Sequence, residues 1–205
     1  MFSNIYSKII SNKIQELLNI KNNSQGWKLE KQGNILSYFS QKFEDNQTNL
    51  AKFEGVFPVK FEKAVEYYQG GLQNQCRQKN CGDLEYLEKI DDNTHITLGK
   101  LRGNFLFDPR DLLTVQNKHQ LNKDEVLITR SDIQSHHFYV QNPQTVRADT
   151  KVYGIFLKKI DPINTYLEAY FLYDLKGRIP AFIQTSIMKY NYEVLLNDIA
   201  KMKQL

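Results

Sequence analysis

The fold is decided by residues 165–202, which read TYLEAYFLYDLKGRIPAFIQTSIMKYNYEVLLNDIAKM. The first part, up to Tyr173, is a run of apolar and aromatic residues of the kind that forms a buried strand. Gly177 and Pro180 then interrupt the chain and predict a turn. Beyond Pro180, apolar residues recur every three or four positions, which predicts a helix that reaches Met202. The stripe of this helix consists of Ile183, Ile187, Tyr190, Val194, Leu195, Ile199 and Met202.

Upstream of this stretch, the sequence predicts a succession of strands joined by polar turns. Their spans, together with the last strand, are 84–90, 94–102, 111–119, 125–133, 145–157 and 165–173. Because no helical pattern separates them, and parallel neighbours need long crossovers, we expect an antiparallel sheet. Three earlier strands and a short helix are predicted at 27–32, 35–41, 50–57 and 59–69, respectively.

The N-terminal residues predict a further helix over 3–20 with a single apolar stripe. The stripe is formed by Tyr6, Ile10, Ile14 and Leu17, and the polar residues 22–26 end the helix. We therefore expect an amphipathic helix and linker over 1–24 and the main domain over 25–205. The helix is expected to pack on the domain, and two alternatives stay open: a docking element for a protein assembly, and an organelle-targeting segment.

Together these elements predict an α+β fold. A curved antiparallel sheet wrapped around the long C-terminal helix would bury the apolar stripe of the helix and one face of the sheet together. The N-terminal helix would be the remaining element of this arrangement.

Composition and charge exclude several classes of function. The 205 residues carry a net charge of +4 without a clustered basic face, which argues against nucleic-acid binding. No apolar run approaches the roughly 18 residues of a membrane span, and no secretory signal is apparent. With two cysteines in the chain, we expect a reduced, cytoplasmic setting, with a mitochondrial or other organelle location as the alternative.

Motifs of enzymes and metal sites are missing from the sequence. It contains no glycine-rich phosphate loop, nucleophile elbow or H-E-x-x-H pattern, so we expect neither catalysis nor a cofactor. His136 and His137 are adjacent and, if extended, would point to opposite faces, so no metal site is expected there. Cys76 and Cys81 are expected to be free thiols.

Four segments in fixed order carry a resemblance to a known family. They are Phe107–Leu113 with P-R-D, Leu127–Asp132, Thr145–Asp149 with V-R-A, and Tyr173–Pro180 with D-x-K-G-x-I-P. In this order, and with Trp27 upstream, the chain resembles the START family of steroidogenic acute regulatory protein-related lipid transfer domains. The resemblance covers about residues 27–202. It implies the helix-grip fold and a hydrophobic tunnel that encloses one lipid.

The resemblance also indicates where this chain departs from its family. Family members with a charged pair in the cavity have a basic residue where Gln116 stands, and an acidic partner between the positions of Thr97 and Gly99. Because both charges are missing here, we expect a polar, uncharged cavity that suits an uncharged headgroup. The residues expected to contact the lipid are Thr97, Leu112, Thr114, Gln116, Thr129, Ser131, Ile183, Ile187 and Tyr190. Structural roles are expected instead for the remaining charged residues: an ion pair or turn-fixing contacts for Arg110 and Asp111, and a surface or framework salt bridge for Arg147.

A gate that consists of the C-terminal helix and the long loop 132–144 is expected. Phe138 and Tyr139 in this loop are candidates for transient contact with a membrane surface, because aromatic side chains favour the interface. The alternative is a surface loop that folds these aromatic rings onto the domain.

The leading hypothesis is a non-enzymatic intracellular protein that binds or transfers one lipid. The alternative is a START-fold scaffold or accessory subunit of a larger assembly without lipid transfer. A third reading is an enzyme of the wider helix-grip superfamily, which would need an acid–base pair in the cavity. The sequence offers no such pair.

Overall fold

The computed structural model describes residues 3–23, 25–44, 46, 48–70, 84–101, 103, 108–177, 179 and 181–204. Cys76 and Cys81, with the expected free thiols, lie outside this range. Three helices are described: α1 (Ser3–Asn22), α2 (Phe61–Gly70) and α3 (Ala181–Gln204). None of these helices combines the length and the apolar composition that a bilayer-spanning helix requires.

Ten strands form one open sheet, which confirms the predicted α+β class. Their bounds are β1 (Lys28–Lys31), β2 (Ser37–Gln41), β3 (Leu50–Phe57), β4 (Leu84–Lys89), β5 (Thr94–Leu101), β6 (Arg110–Asn122), β7 (Glu125–Asp132), β8 (Val146–Arg147), β9 (Asp149–Lys159) and β10 (Thr165–Asp174). The order across the sheet is β1-β2-β3-β10-β9-β7-β6-β5-β4, and β8 lies off this path beside β6.

Pairing along this path is antiparallel, as predicted. The predicted strand 145–157 is, however, two strands. β8 pairs with the start of β6 in parallel, and the Ala148 N–H donates to the Asp111 carbonyl before β9 turns to pair with β7 and β10. The split arises because the chain changes partner strands at Ala148.

The two faces of the sheet are covered by different helices. Side chains alternate along a strand, and directly paired residues share a face. On one face, called the α1 face, Leu113, Leu127 and Phe156 belong to clusters that also contain residues of α1. On the opposite face, called the α3 face, Leu112 and Tyr153 belong to clusters that contain residues of α3.

The apolar stripe of α1 packs on the sheet of its own chain. Leu17 is fully buried, and it lies so close to Gly154 that a Cβ atom added there would be 2.6 Å from Leu17 Cδ2. Lys13 Nζ donates to the Lys151 carbonyl at 2.6 Å, and Lys21 Nζ contacts Glu125 Oε1 at 2.5 Å. These contacts fix α1 along the strands β7 and β9.

From Met188 onward, α3 packs as an ordinary core helix. Met188, Leu195, Ile199 and Met202 are buried in one cluster with residues of β3, β9, β10 and α2. Tyr192 in the same segment donates its hydroxyl to the Leu36 carbonyl at 3.1 Å. Ile187, just before this segment, is only partly buried, and the candidate site lies at this end of α3.

Candidate functional site

A row of polar side chains crosses the α3 face on β5 and β6. Thr97 and Thr114 are paired in register, both are buried, and their hydroxyl oxygens share a hydrogen bond of 2.8 Å. Gln116 follows on β6 and uses both ends of its amide within the chain. Its Nε2 donates to the Gln69 carbonyl at 3.1 Å, and its Oε1 accepts from Arg130 Nε at 3.0 Å. Gln116 therefore orients Arg130.

Arg130 adds a charge to the α3 face that the expectation of an uncharged cavity did not include. It pairs with Gln116 across β6 and β7, and its guanidinium carbon lies 4.4 Å from the centre of the Tyr153 ring. An aromatic face in contact with a guanidinium stabilises the positive charge. Arg130 was not predicted because the other set of alternating residues on β7 was assigned to the cavity. The pairing partner of Gln116 was the signal that would have identified it.

Thr129 and Ser131 lie on the α1 face, which corrects their assignment to the lipid site. Thr129 is paired with Gly154, whose neighbour across the packed surface is Leu17 of α1. Ser131 is paired with Val115, which belongs to the cluster that packs against α1. Both hydroxyls are buried and find no hydrogen-bond partner among the described residues.

Tyr68 of α2 adds a second hydrogen-bond donor near Arg130. Its ring is buried, and within the described part of the chain its hydroxyl has no hydrogen-bond partner. Burial raises the pKa of this hydroxyl well above its usual value, and the nearby groups Asp198 and Tyr153 raise it further. Tyr68 and Tyr153 belong to the same buried cluster, and Tyr153 also contacts the Arg130 guanidinium. A buried donor without an acceptor costs about 1–3 kcal/mol.

An apolar group joins β6 to α3. Leu112 of β6 belongs to the same cluster as Ile183 and Ile187 of α3. Ile187 also packs against the cluster that contains Tyr68. Leu112, Ile187 and Tyr190 are only partly buried.

A cavity of about 300 Å³ lies at the N-terminal end of α3. It is bounded by the end of β10, the turn that follows and α3, with Tyr173, Leu175, Ile179, Ile187 and Met188 among its lining residues. This volume is at the small end of the roughly 300–1,000 Å³ of ligand pockets.

The turn between β10 and α3 is held by Arg110. Its Nε donates to the Leu175 carbonyl at 3.1 Å and its Nη2 to the Lys176 carbonyl at 3.2 Å. Lys176 and Gly177 have φ values of 56° and 73°, a left-handed conformation that glycine adopts without strain. Lys176 Nζ adds ion pairs with Asp149 at 2.7 Å and Asp174 at 2.6 Å. The structural role expected for Arg110 is confirmed.

Asp111 and Arg147 form the second part of this framework. Asp111 is almost fully buried, and its Oδ1 accepts from Arg147 Nε at 2.6 Å. The Tyr139 hydroxyl donates to Asp111 Oδ2, and the Arg147 guanidinium lies 5.1 Å from the centre of the Tyr139 ring. The charged residues of the P-R-D and V-R-A segments thus have structural roles, as expected, because they connect β6, β8 and the turn after β10.

Among the described residues, the loop 132–144 packs through Tyr139 on the α1 face, opposite the face that α3 covers. Tyr139 packs in the cluster of Leu113 and Ile133 on the α1 face. Phe138 and Val140 beside it are 65% and 90% exposed. The loop therefore buries one aromatic ring and presents the other to solvent.

His136 and His137 also differ from their expected arrangement. They lie in a turn, closed by the Tyr139 N–H donating to the His136 carbonyl at 2.9 Å, and not in an extended strand. Their ring centres are therefore only 4.4 Å apart. The expectation that they share no ligand assumed an extended chain that points the two rings to opposite faces, and the turn does not meet this condition.

Comparisons with known proteins agree on one family. The START domain family model matches residues 10–203. A comparison with curated proteins finds no significant match. Among solved structures, human StAR-related lipid transfer protein 5 is similar at 20% identity and a TM-score of 0.84, with 98% of each chain covered.

Two further structures have the same fold at lower identity. Human STARD10 is 15% identical with a TM-score of 0.76, over 92% of this chain and 77% of that chain. A STAR-related lipid transfer protein from Xanthomonas axonopodis is 11% identical with a TM-score of 0.71, over 87% of this chain and 99% of that chain. These likenesses establish the helix-grip fold, and with the match over residues 10–203 the chain belongs to the START domain family.

Proposed function

We propose that the protein binds one lipid between the α3 face of the sheet and α3, and carries it between membranes without catalysing a reaction. The observation that carries this proposal is the buried hydroxyl of Tyr68, which has no hydrogen-bond partner among the described residues. Tyr68 lies in the cluster that Ile187 also packs against, and Ile187 borders the cavity at the N-terminal end of α3. Family membership supports it, because two of the similar structures are named lipid transfer proteins.

The donors on the α3 face define the orientation of the lipid. Tyr68 and Arg130 both donate hydrogen bonds, so the polar end of the ligand must accept them, as a carbonyl, carboxylate or phosphate oxygen does. The apolar part would then contact Leu112, Ile183 and Ile187. Each methylene group removed from water contributes about 0.8 kcal/mol, so a long chain binds strongly even to a modest polar site.

The route of entry proposed here is the cavity at the N-terminal end of α3. The cavity reaches Ile187 and is bounded by the turn that Arg110 holds, so outward movement of α3 at this end would widen it. The loop 132–144 has a separate role in the proposal: exposed Phe138 and Val140 contact the membrane surface during exchange.

The accessory-subunit alternative has less support. In that alternative the N-terminal helix α1 is the docking element. Leu17 and the rest of the apolar stripe of α1, however, face the sheet of the same chain. A partner protein would therefore need another surface. Carriage between membranes agrees with the expected cytoplasmic or organelle location, which stays a prediction.

The test is uptake of lipid from vesicles of mixed phospholipid, sterol and free fatty acid, followed by native mass spectrometry. Tyr68→Phe removes only the unpartnered hydroxyl, and we expect it to lower retention of the lipid by about five- to tenfold, since one hydrogen bond contributes about 1 kcal/mol or more. Thr129→Val is the matched control, because it removes an unpartnered hydroxyl from the α1 face, and its retention should equal that of the wild type. A wild type that takes up no lipid, or equal retention in Tyr68→Phe, would contradict the proposal.

A further inference from the structure

Three side chains of the types that serve as ligands for transition metals lie close together where β4 meets the loop 132–144. Glu88 lies on the edge strand β4, and His136 and His137 lie in the turn 136–139. One ligand atom of each residue lies within 4.8 Å of the others. These residues play no part in the proposed lipid site, so the inference stands independently of it.

The geometry of the cluster is largely preformed. The His136 side chain is 1% exposed, and its Nε2 lies 2.8 Å from Glu88 Oε2. Its Nδ1 accepts from the Phe138 N–H at 3.3 Å, which fixes the ring plane. His137 stacks beside it and is exposed, so the open side of the cluster faces solvent. A metal ion would therefore find two oriented ligands and a third that is free to rotate.

We propose that Glu88, His136 and His137 bind a divalent transition-metal ion such as Zn²⁺, with water as the fourth ligand. Two imidazoles and a carboxylate form a donor set that suits zinc. With metal–ligand bonds near 2.1 Å, tetrahedral ligand atoms lie about 3.4 Å apart. His136 Nε2 and Glu88 Oε2, which are 2.8 Å apart, would move slightly apart, and rotation of the exposed His137 side chain would bring its ring nitrogen to the same distance.

Binding has a structural consequence for the loop. His136 Nε2 must release its proton to coordinate the metal, and the neutral ring then carries its proton on Nδ1. A protonated Nδ1 no longer accepts from the Phe138 N–H, so this contact opens. The metal would therefore connect β4 to the loop and change the environment of Phe138.

The experiment uses the full, untagged chain with Cys76→Ser and Cys81→Ser, so that no thiolate contributes to binding. After treatment with a chelator, Zn²⁺ binding is measured by calorimetry, and the Co²⁺ complex by its visible absorption. We expect one ion per chain, a Co²⁺ spectrum typical of four-coordinate sites, and a shift of the Phe138 amide signal in NMR spectra.

Variants decide whether the cluster is responsible. His137→Ala changes an exposed residue, and Glu88→Gln keeps the shape of the side chain, so both should fold; each should weaken binding at least tenfold. His119→Ala, an exposed histidine of β6 outside the cluster, is the matched control and should bind like the parent. Binding no tighter than millimolar in the parent, or unchanged affinity in His137→Ala, would overturn the proposal.

Discussion

Leu17 on the α1 face and Ile187 on the α3 face occupy comparable positions, each on a helix stripe that covers the same sheet. Leu17 is fully buried, and its methyl groups fill the space that Gly154 leaves on β9. Ile187 is partly exposed and borders a cavity. At Leu17 the sheet is therefore covered by a closed core, whereas at Ile187 space remains beside the helix.

This difference separates residues that stabilise the fold from residues that bind a ligand. Close packing is the normal condition of a protein interior, so incomplete packing between a sheet and its helix requires an explanation. The polar groups on the two faces differ as well. Thr129 and Ser131 lie among packed apolar groups, whereas Tyr68 and the Tyr153 ring that Arg130 contacts lie in the cluster that partly buried Ile187 packs against.

The largest effect is expected from shortening the two helix side chains. Leu17→Ala should lower the free energy of unfolding by about 2–5 kcal/mol, because it leaves a cavity in a packed core. Ile187→Ala should cost less than half as much, because Ile187 already borders open space. Chemical denaturation of both variants without lipid measures the difference; equal losses would mean that the α3 face is as tightly packed as the α1 face.

Adding volume to the two faces should give the next largest difference. Gly154→Val places methyl groups against Leu17 and should destabilise the protein by about 1–3 kcal/mol. Ile187→Phe should leave the melting temperature almost unchanged but reduce lipid uptake, because the ring fills space meant for the ligand. Thermal unfolding and vesicle uptake test this pair. A strongly destabilised Ile187→Phe variant would contradict the claim that the α3 face has space that the α1 face lacks.

A smaller effect is expected from the threonine hydroxyls. Thr114→Val breaks the hydrogen bond with Thr97 and should cost about 1 kcal/mol. Thr129→Val replaces a hydroxyl without a partner among the described residues, so its stability should be equal or higher. The reverse order in denaturation experiments would show that the faces of β6 and β7 have been assigned incorrectly.

The smallest effect concerns the pH dependence of stability at Asp132. Burial raises the pKa of this carboxyl above its usual value. The hydrogen bond that the Thr150 N–H donates to the carboxyl lowers the pKa and so partly opposes this shift. A raised pKa means that the native state binds the proton more tightly, so the wild type gains stability as the pH falls through that pKa. Asp132→Asn keeps an acceptor for Thr150 and lacks the titration.

The measurement for Asp132 is the difference in unfolding free energy between Asp132→Asn and the wild type. We expect the advantage of the variant to be greatest near about pH 7 and to shrink towards about pH 4. An advantage that grows as the pH falls would mean that the carboxylate is stabilised by its surroundings and not desolvated.

Much of the fold was predictable because it depends on local patterns. The strand 50–57 was predicted with its observed bounds, and the apolar stripes located α1 and α3. The site was less predictable, since alternation divides a strand into two sets without saying which set faces which helix. That choice depends on the register between β6 and β7. Without the register, Thr129 and Ser131 were assigned to the cavity face in place of Arg130.

Two other residues were missed for different reasons. Tyr68 belongs to the apolar stripe of α2, and nothing in that pattern reveals that its hydroxyl has no partner among the described residues. The expectation that His136 and His137 share no ligand held only for an extended chain, and a turn brings the His137 ring beside His136. In both cases the decisive contact joins residues whose arrangement the periodic pattern does not determine.

The most direct test of the central claim is native mass spectrometry of the protein isolated from its own cells, with identification of any bound lipid. The account predicts one lipid of a single class per chain, with a polar end that accepts hydrogen bonds, and loss of this adduct in Tyr68→Phe but not in Thr129→Val. A bare mass, with no uptake from mixed vesicles, would contradict it and would identify the space beside α3 as an empty feature of the fold.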